Sequence, residues 1–289
     1  MSLSQMPRVA AVVVTYNSGD DLARFLDSVT RSNLQPGSVI VVENHSAGAR
    51  DSEQTAREYD ANWLGLPENI GYGSAMNRGA KAAHDDAEYL LLCNPDLVVE
   101  PGAVEILTAW LDEHPEVAAA GPRILSDDGT VYPSARAIPS LTTGIGHALL
   151  SPFWPQNPWS RRYRADSDYS DEPRDAGWLS GACILVRRDV FESLQGFDEG
   201  YFMYFEDVDL GYRLAQAGWK ISYVPQAVVR HSGAGSTHTE SERMLRIHHE
   251  SAYRFIRQRY AGWWRAPLRL VIRLGLSLRF QLERRRSRA

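Results

Sequence analysis

The apolar residues of this chain fall into short runs and helical stripes that alternate. Val9–Thr15 is an almost unbroken β-branched run, as in a parallel strand covered on both faces. Asn17-Ser18-Gly19-Asp20 follows, and then Leu22, Phe25, Leu26 and Val29 recur at helical spacing. Val39–Val42 reads as a second strand, 47–59 as a helix, Trp63–Leu66 as a short strand, and Gly71–Ala83 as a helix that opens in glycines. Tyr89–Cys93, Ala103–Glu113 and Val117–Ala120 continue as strand, helix and strand. This order predicts an α/β fold with a doubly wound, mostly parallel sheet and right-handed crossovers.

The pattern then breaks. Tyr132–Pro173 is rich in Pro, Trp, Tyr and Ser with little periodicity, and reads as loops over the sheet in the position of a lid. Ala182–Val186 resumes as a strand and Arg188–Leu194 as a helix. Glu206–Ala217 is a helix closed by Gly218, and Trp219–Val224 a strand. Glu240–Tyr260 and Pro267–Glu283 form a C-terminal helical extension. The expected organisation is a wound domain over 1–238, with halves of about 1–125 and 126–238, followed by a tail over 239–289.

Composition sharpens this picture in three places. At 289 residues, 44% of them hydrophobic, the chain can bury a sizeable core. No stretch reaches the ~18 uncharged apolar residues of a membrane span, and the short polar start does not resemble a signal peptide. Cys93 and Cys183, both in apolar runs, read as reduced core residues. The charge is also uneven. Residues 243–289 hold thirteen Arg, no Lys and two Glu, so this segment carries +11 in a chain of net −5 and the preceding residues carry −16. Arg265, Arg269 and Arg273 recur every four residues, after Trp263 and Trp264 and among Leu268, Val271, Ile272 and Leu276. A basic amphipathic helix with Trp suits an anionic membrane surface. The alternatives are packing on the domain or a homo-oligomer contact. Nucleic acid is not expected as a partner, because no recognition module accompanies the charge.

In an open parallel sheet, ligands bind beyond the carboxyl ends of the strands. Thr15-Tyr16-Asn17, Glu43-Asn44, Asn69-Ile70-Gly71-Tyr72-Gly73 and Asn94-Pro95-Asp96 all fall there. Singly, each is ordinary turn chemistry; four in succession suggest a site. Glu43 can accept hydrogen bonds from a base or ribose. Gly71 and Gly73 allow close backbone approach at a helix N-terminus, where the dipole favours phosphate. No Gly-Lys-Ser/Thr is present, and no Gly-x-Gly-x-x-Gly follows the first strand, so neither a P-loop nor a dinucleotide fold is indicated. Asp96 is a hard oxygen ligand suited to Mg2+ or Mn2+. Further on, Glu206, Asp207 and Asp209 lie between Phe205 and Leu210. Burying acids costs several kcal/mol unless they are paired, bonded or metal-linked, so some of these three are in use. The plain alternative is a helix start with acids in its first turn.

These segments together resemble the inverting glycosyltransferases of family two, which have a GT-A fold. The resemblance rests on Val13-Val14-Thr15-Tyr16-Asn17, Glu43-Asn44-His45-Ser46, the stretch from Glu68 to Gly79, Asn94-Pro95-Asp96, Gly196-Phe197-Asp198-Glu199 and the stretch from Phe205 to Arg213. It covers roughly 8–235 and looks most like bacterial rhamnosyltransferases acting on polyprenyl-diphosphate-linked N-acetylglucosamine. It implies a nucleotide-sugar pocket lined by Thr15, Asn17, Glu43, Asn69, Gly71, Gly73, Asn77 and Asn94. It also implies a cation held by Asp96 and His231, Asp207 as general base and Glu206 beside it. Asn94 stands where the usual motif has its first Asp, a variant seen in relatives that use deoxysugar nucleotides. Arg213 is a candidate partner for Glu206 and Asp209.

The implied reaction moves L-rhamnose from dTDP-rhamnose to a lipid-linked sugar acceptor at the cytoplasmic face of the inner membrane. A nucleotidyltransferase shares the wound sheet and paired acids but would carry a basic, Gly-rich signature after strand one, which Tyr16-Asn17-Ser18-Gly19 lacks. A non-catalytic nucleotide-sugar-binding protein is the other alternative.

Overall fold

A computed structural model describes residues 8–139 apart from 33 and 35, the isolated positions 154, 156 and 157, and residues 171–231 and 241–286. Most of the segment read as loops and lid, 140–170, thus lies outside the described residues.

The strands are β1 (Val9–Thr15), β2 (Val39–Glu43), β3 (Asn62–Gly65), β4 (Tyr89–Cys93), β5 (Leu97–Val99), β6 (Val117–Ser126), β7 (Val131–Tyr132), β8 (Ala135–Arg136), β9 (Arg174–Asp175), β10 (Trp178–Leu179), β11 (Cys183–Arg187) and β12 (Lys220–His231). The helices are α1 (Asp20–Arg31), α2 (Ala49–Glu58), α3 (Tyr72–Ala82), α4 (Ala103–Glu113), α5 (Arg188–Ser193), α6 (Glu206–Gln216), α7 (Ser241–Arg259) and α8 (Ala266–Arg286). The main sheet runs β3-β2-β1-β4-β11-β6-β12-β5, and β8 and β10 form a small second sheet.

The run in β1 is continuous because each face has its own cover. Ala11 and Val13 meet Leu22, Phe25 and Leu26 of α1 in one core, which also takes Leu107 and Leu111 of α4. Ala10, Val12 and Val14 belong to the other, with Ala75 and Met76 of α3 and Leu210 and Leu214 of α6. Burying such a side chain fully is worth about 1.5–3 kcal/mol, so the two cores outweigh any local preference. Cys93 and Cys183 are free, buried and opposite one another, with their sulfurs 3.9 Å apart.

Three features differ from the sequence expectation. β11 is antiparallel to both β4 and β6, although the sheet around it is mostly parallel. A fully buried strand reads the same in either direction, so its pattern carries no sign of this. β5, only three residues long, follows directly on the Asn94–Asp96 turn and pairs antiparallel with β12. β12 continues through Pro225 to His231, with a register shift between Val224 and Val228 that accommodates the proline.

The tail divides in two. α7 docks on the body: Arg254 and Gln258 bind Asp198, Tyr201 Oη donates to Gln258, and Ser251 donates to the carbonyl of Met203. Phe255 is buried among Tyr201 and Val208. α8 folds back along α7 after a tight turn at Trp263–Arg265. Arg265 and Arg269 are half-buried at the turn that follows α7, while Arg273 is exposed. Arg269 donates to the carbonyls of Tyr260 and Gly262, Arg265 lies over Tyr260, and Arg273 lies over Tyr253. Among the described residues no helix is long and apolar enough to cross a membrane.

Candidate active site

Strand directions bring the candidate residues to one sheet edge. β1, β2, β3 and β4 are parallel, and the register sets Thr15 beside Glu43 and Glu43 beside Gly65. The antiparallel β11 begins at this same edge, where the Asn94 N–H donates to the carbonyl of Ala182. β12 ends there, with His231 opposite Leu97.

On the donor side the polar residues chiefly bind one another. Glu43, 1% exposed, accepts from the Ser46 N–H (2.7 Å) with one oxygen and from Ser52 Oγ (2.8 Å) with the other. Thr15 Oγ1 donates to Ser18 Oγ, and Asn17 Oδ1 accepts from the Gly48 N–H. Asn44 donates to Asn69 Oδ1 and accepts from the Ile70 N–H, while Asn69 Oδ1 also accepts from the Gly71 N–H. Asn77 is clamped to Phe197: its amide donates to the carbonyl and accepts from the N–H, both at 2.9 Å, and it also reaches Glu199 Oε1 at 3.5 Å. It therefore ties α3 to the 196–199 turn. The glycines also allow close approach, but to protein. A Cβ on Gly71, at φ +86°, would lie 2.3 Å from the Phe202 carbonyl oxygen, and one on Gly73 would meet Phe197 and Glu206.

At the far side of the edge, the β5–β12 pairing brings together two residues 135 positions apart. Asp96 Oδ1 and His231 Nε2 stand 3.0 Å apart, both largely buried. Adjacent positions around an octahedral cation with ~2.1 Å bonds are separated by about this distance. A carboxylate oxygen and an imidazole nitrogen are both competent ligands for Mn2+ or Mg2+, so the pair fits. No third His, Cys, Asp or Glu among the described residues completes a cluster. A cation here would take its remaining ligands from substrate and water, as is usual for Mg2+. Asn94 is half-buried at the head of this turn.

The acids of α6 occupy three different environments. Asp209 pairs with Arg213 at 2.6 Å, and Arg213 also donates to the carbonyls of Leu194 and Gly196. Arg213 is thus the partner of Asp209 alone and does not bridge Glu206. Glu206 is 6% exposed, and its Oε2 has no hydrogen-bond partner among the described residues. Burial, then the neighbouring Asp207 charge, pushes its pKa up to about 8. Asp207 has both oxygens engaged, one by the Gly181 N–H at 3.0 Å and the other by the Val208 N–H at 2.8 Å. Burial raises its pKa as well, but these two bonds and the Arg136 charge oppose the rise. Burial thus favours the neutral form of Glu206, while the two N–H bonds and the Arg136 charge favour the carboxylate of Asp207.

Two residues that the sequence reading passed over complete the site. Tyr72 Oη donates to the carbonyl of Gly181 at 2.6 Å, so Gly181 is held on one side by Tyr72 and on the other by Asp207. Arg136, over the Trp178 ring, supplies the positive charge felt by Asp207. Tyr72 sits between two prominent glycines, and its role depends on a contact 109 residues away. Separately, a cleft of ≈ 890 Å3 lies between α3, α6 and α7, lined by Lys81, Gln195, Glu199, Tyr212 and Arg259 among others. Asp96, Asp207 and His231 do not line it, so it is apart from this chemistry.

A wound sheet with acids and a potential cation pair at its carboxyl edge defines the GT-A class of glycosyltransferase. Among solved structures, the mannosyltransferase PcManGT from Pyrobaculum calidifontis, in complex with GDP-Man and Mn2+, shares this fold. It matches with a TM-score of 0.58 over 96% of this chain and 71% of that one, at 15% identity. The chain belongs to glycosyltransferase family 2, whose model matches residues 7–249 under the description "Glycosyltransferase like family 2". It is 44% identical over 285 residues to the N-acetylglucosaminyl-diphospho-decaprenol L-rhamnosyltransferase of Mycobacterium tuberculosis, covering 96% of this chain and 92% of that protein. It is 25% identical to the rhamnosyltransferase WbbL of Escherichia coli K12, covering 86% of this chain and 92% of the relative.

Proposed function

We propose that this enzyme transfers L-rhamnose from dTDP-rhamnose to a hydroxyl of N-acetylglucosamine carried on a polyprenyl diphosphate. The observation that carries this reading is the convergence of Asp96 and His231 at the edge that also holds Asp207, in a chain 44% identical to a rhamnosyltransferase of that acceptor. Asp207 is the general base. Its carboxylate, aimed by the Gly181 and Val208 N–H groups, takes the proton of the acceptor hydroxyl as that oxygen attacks the anomeric carbon. The bond from the anomeric carbon to the diphosphate oxygen breaks, and dTDP leaves with the electron pair. One displacement inverts the anomeric centre, so no enzyme nucleophile takes part. Asp96 and His231 would hold Mg2+ or Mn2+, which when bound offsets charge on the diphosphate. Neutral Glu206 leaves Asp207 as the single anion of the pair. Because the acceptor is lipid-linked, the enzyme works peripherally, at the cytoplasmic face of the membrane.

The test is turnover of dTDP-rhamnose with a short-chain polyprenyl-diphosphate N-acetylglucosamine and Mn2+, with the product's anomeric configuration read by NMR. An α-linked rhamnosyl product from the β-linked donor is expected. Retention of configuration, or turnover only of nucleoside triphosphates, would overturn the proposal.

A further inference from the structure

The Arg-rich tail displays its apolar side. Trp263 is 85% exposed, Trp264 62%, and Leu270, Val271, Leu274 and Leu278 are all between 57% and 66% exposed. Leu270, Leu274 and Leu278 recur every four residues and so form a single row along α8. The opposite side carries Arg269, half-buried and bonded to the carbonyls of Tyr260 and Gly262 in the turn after α7, and Phe280, whose ring meets His249 at 6.2 Å. Arg269 thus fastens the turn of the helical hairpin, and the leucine row is left facing outward. A contiguous exposed apolar surface of this kind marks an interaction site.

The charge around the row selects its occupant. A second copy docked tail to tail would bring thirteen arginines against thirteen, +11 facing +11. An anionic surface meets the same charge with attraction, at up to about 1 kcal/mol for each basic residue near it. The two tryptophans at one end of the row have the amphipathic rings that settle at headgroup depth. α8 is not apolar enough to span, so the row can only lie along the surface.

We propose that the outward row of α8, with Trp263 and Trp264, is the surface by which this protein lies on an anionic lipid leaflet. Arg269 acts within the protein to present it. The proposal rests on the rhamnosyltransferase reading only for its purpose, which is to bring the active site to a lipid-linked acceptor.

The test is sedimentation of the full chain with phosphatidylcholine vesicles, with and without phosphatidylglycerol, at low and high salt. The wild type is expected to sediment with the phosphatidylglycerol vesicles, and less so at high salt. The variant Leu270→Ser/Leu274→Ser/Leu278→Ser should partition at least about tenfold more weakly, since burial of even one leucine is worth that factor. Its turnover of a short-chain, water-soluble acceptor should match wild type. A blue shift of tryptophan fluorescence on vesicle addition should vanish in Trp263→Phe/Trp264→Phe. The inference is overturned if wild type stays in the supernatant, or if the triple variant sediments like wild type. It is equally overturned if light scattering shows a wild-type dimer that the triple variant converts to monomer, because the row then belongs to a second copy. Vesicle binding without rhamnosyl transfer would leave this surface standing and remove the proposed reaction.

Discussion

On the donor side of the sheet edge, Glu43 holds Ser46 and Ser52, Asn44 holds Asn69 and Ile70, and Asn77 holds Phe197. At the far side of the edge, Asp96 faces His231, Glu206 keeps one buried oxygen without a partner among the described residues, and Asp207 is held only by backbone N–H groups. Both sets are polar and largely buried. The first set is hydrogen-bonded within the protein. In the second, Glu206 keeps a buried oxygen without a hydrogen-bond partner among the described residues. A buried polar group without a full set of bonds is costly, so its persistence marks function more strongly than polarity itself does.

This contrast can be broken most directly at Asp207. Asp207→Asn should reduce transfer by at least ~10^2-fold while the donor still binds, as steady-state kinetics and calorimetry would show. Near-normal turnover in that variant, together with an inactive Glu206→Gln, would reverse the two roles.

The next effect concerns pH. The folded-state pKa of Glu206, about 8, lies above that of an unfolded glutamate, so the native state binds the extra proton. Stability therefore falls as pH rises from about 4.5 towards 8, on the order of 1 kcal/mol per pH unit. Glu206→Gln removes this dependence. Thermal melts of the two proteins should diverge as pH rises, with the variant gaining on wild type. Parallel curves from pH 5 to 8 would show that Glu206 is ionised throughout, whatever its burial.

A smaller effect is expected on the donor side. Asn77→Ala leaves the N–H and carbonyl of Phe197 without their partner and should cost on the order of 1–2 kcal/mol in a urea melt. Cation-dependent donor affinity should stay near wild type. If affinity falls while stability holds, Asn77 is a ligand residue after all and the contrast is misplaced.

Much of the architecture is legible in the sequence. Strands such as Val9–Thr15 and Tyr89–Cys93 are dense apolar runs, and helices such as Ala103–Glu113 have clear ends. The direction of β11 is hidden because a strand buried on both faces has no polarity pattern. β5 is too short to show periodicity. The positions of the acids are legible, but their partners are not. Arg213 lies at helical spacing from both Glu206 and Asp209, and only the fold shows that it takes the nearer one. The basic spacing from Arg265 to Arg273 is visible in the sequence, yet the contacts with Tyr253 of α7 and Tyr260 just after it are not. Asp96 and His231 are joined by strand pairing across 135 residues, which resemblance suggests and no local pattern encodes.

The most direct measurement is calorimetric titration of dTDP-rhamnose into wild type, Asp96→Ala and His231→Ala, each with and without Mn2+. In wild type, Mn2+ should tighten binding. In either variant that gain should shrink at least about tenfold, the scale seen even when an outer-shell partner of a metal ligand is lost. Equal affinity and equal Mn2+ dependence in all three proteins would contradict the assignment of Asp96 and His231 to one cation.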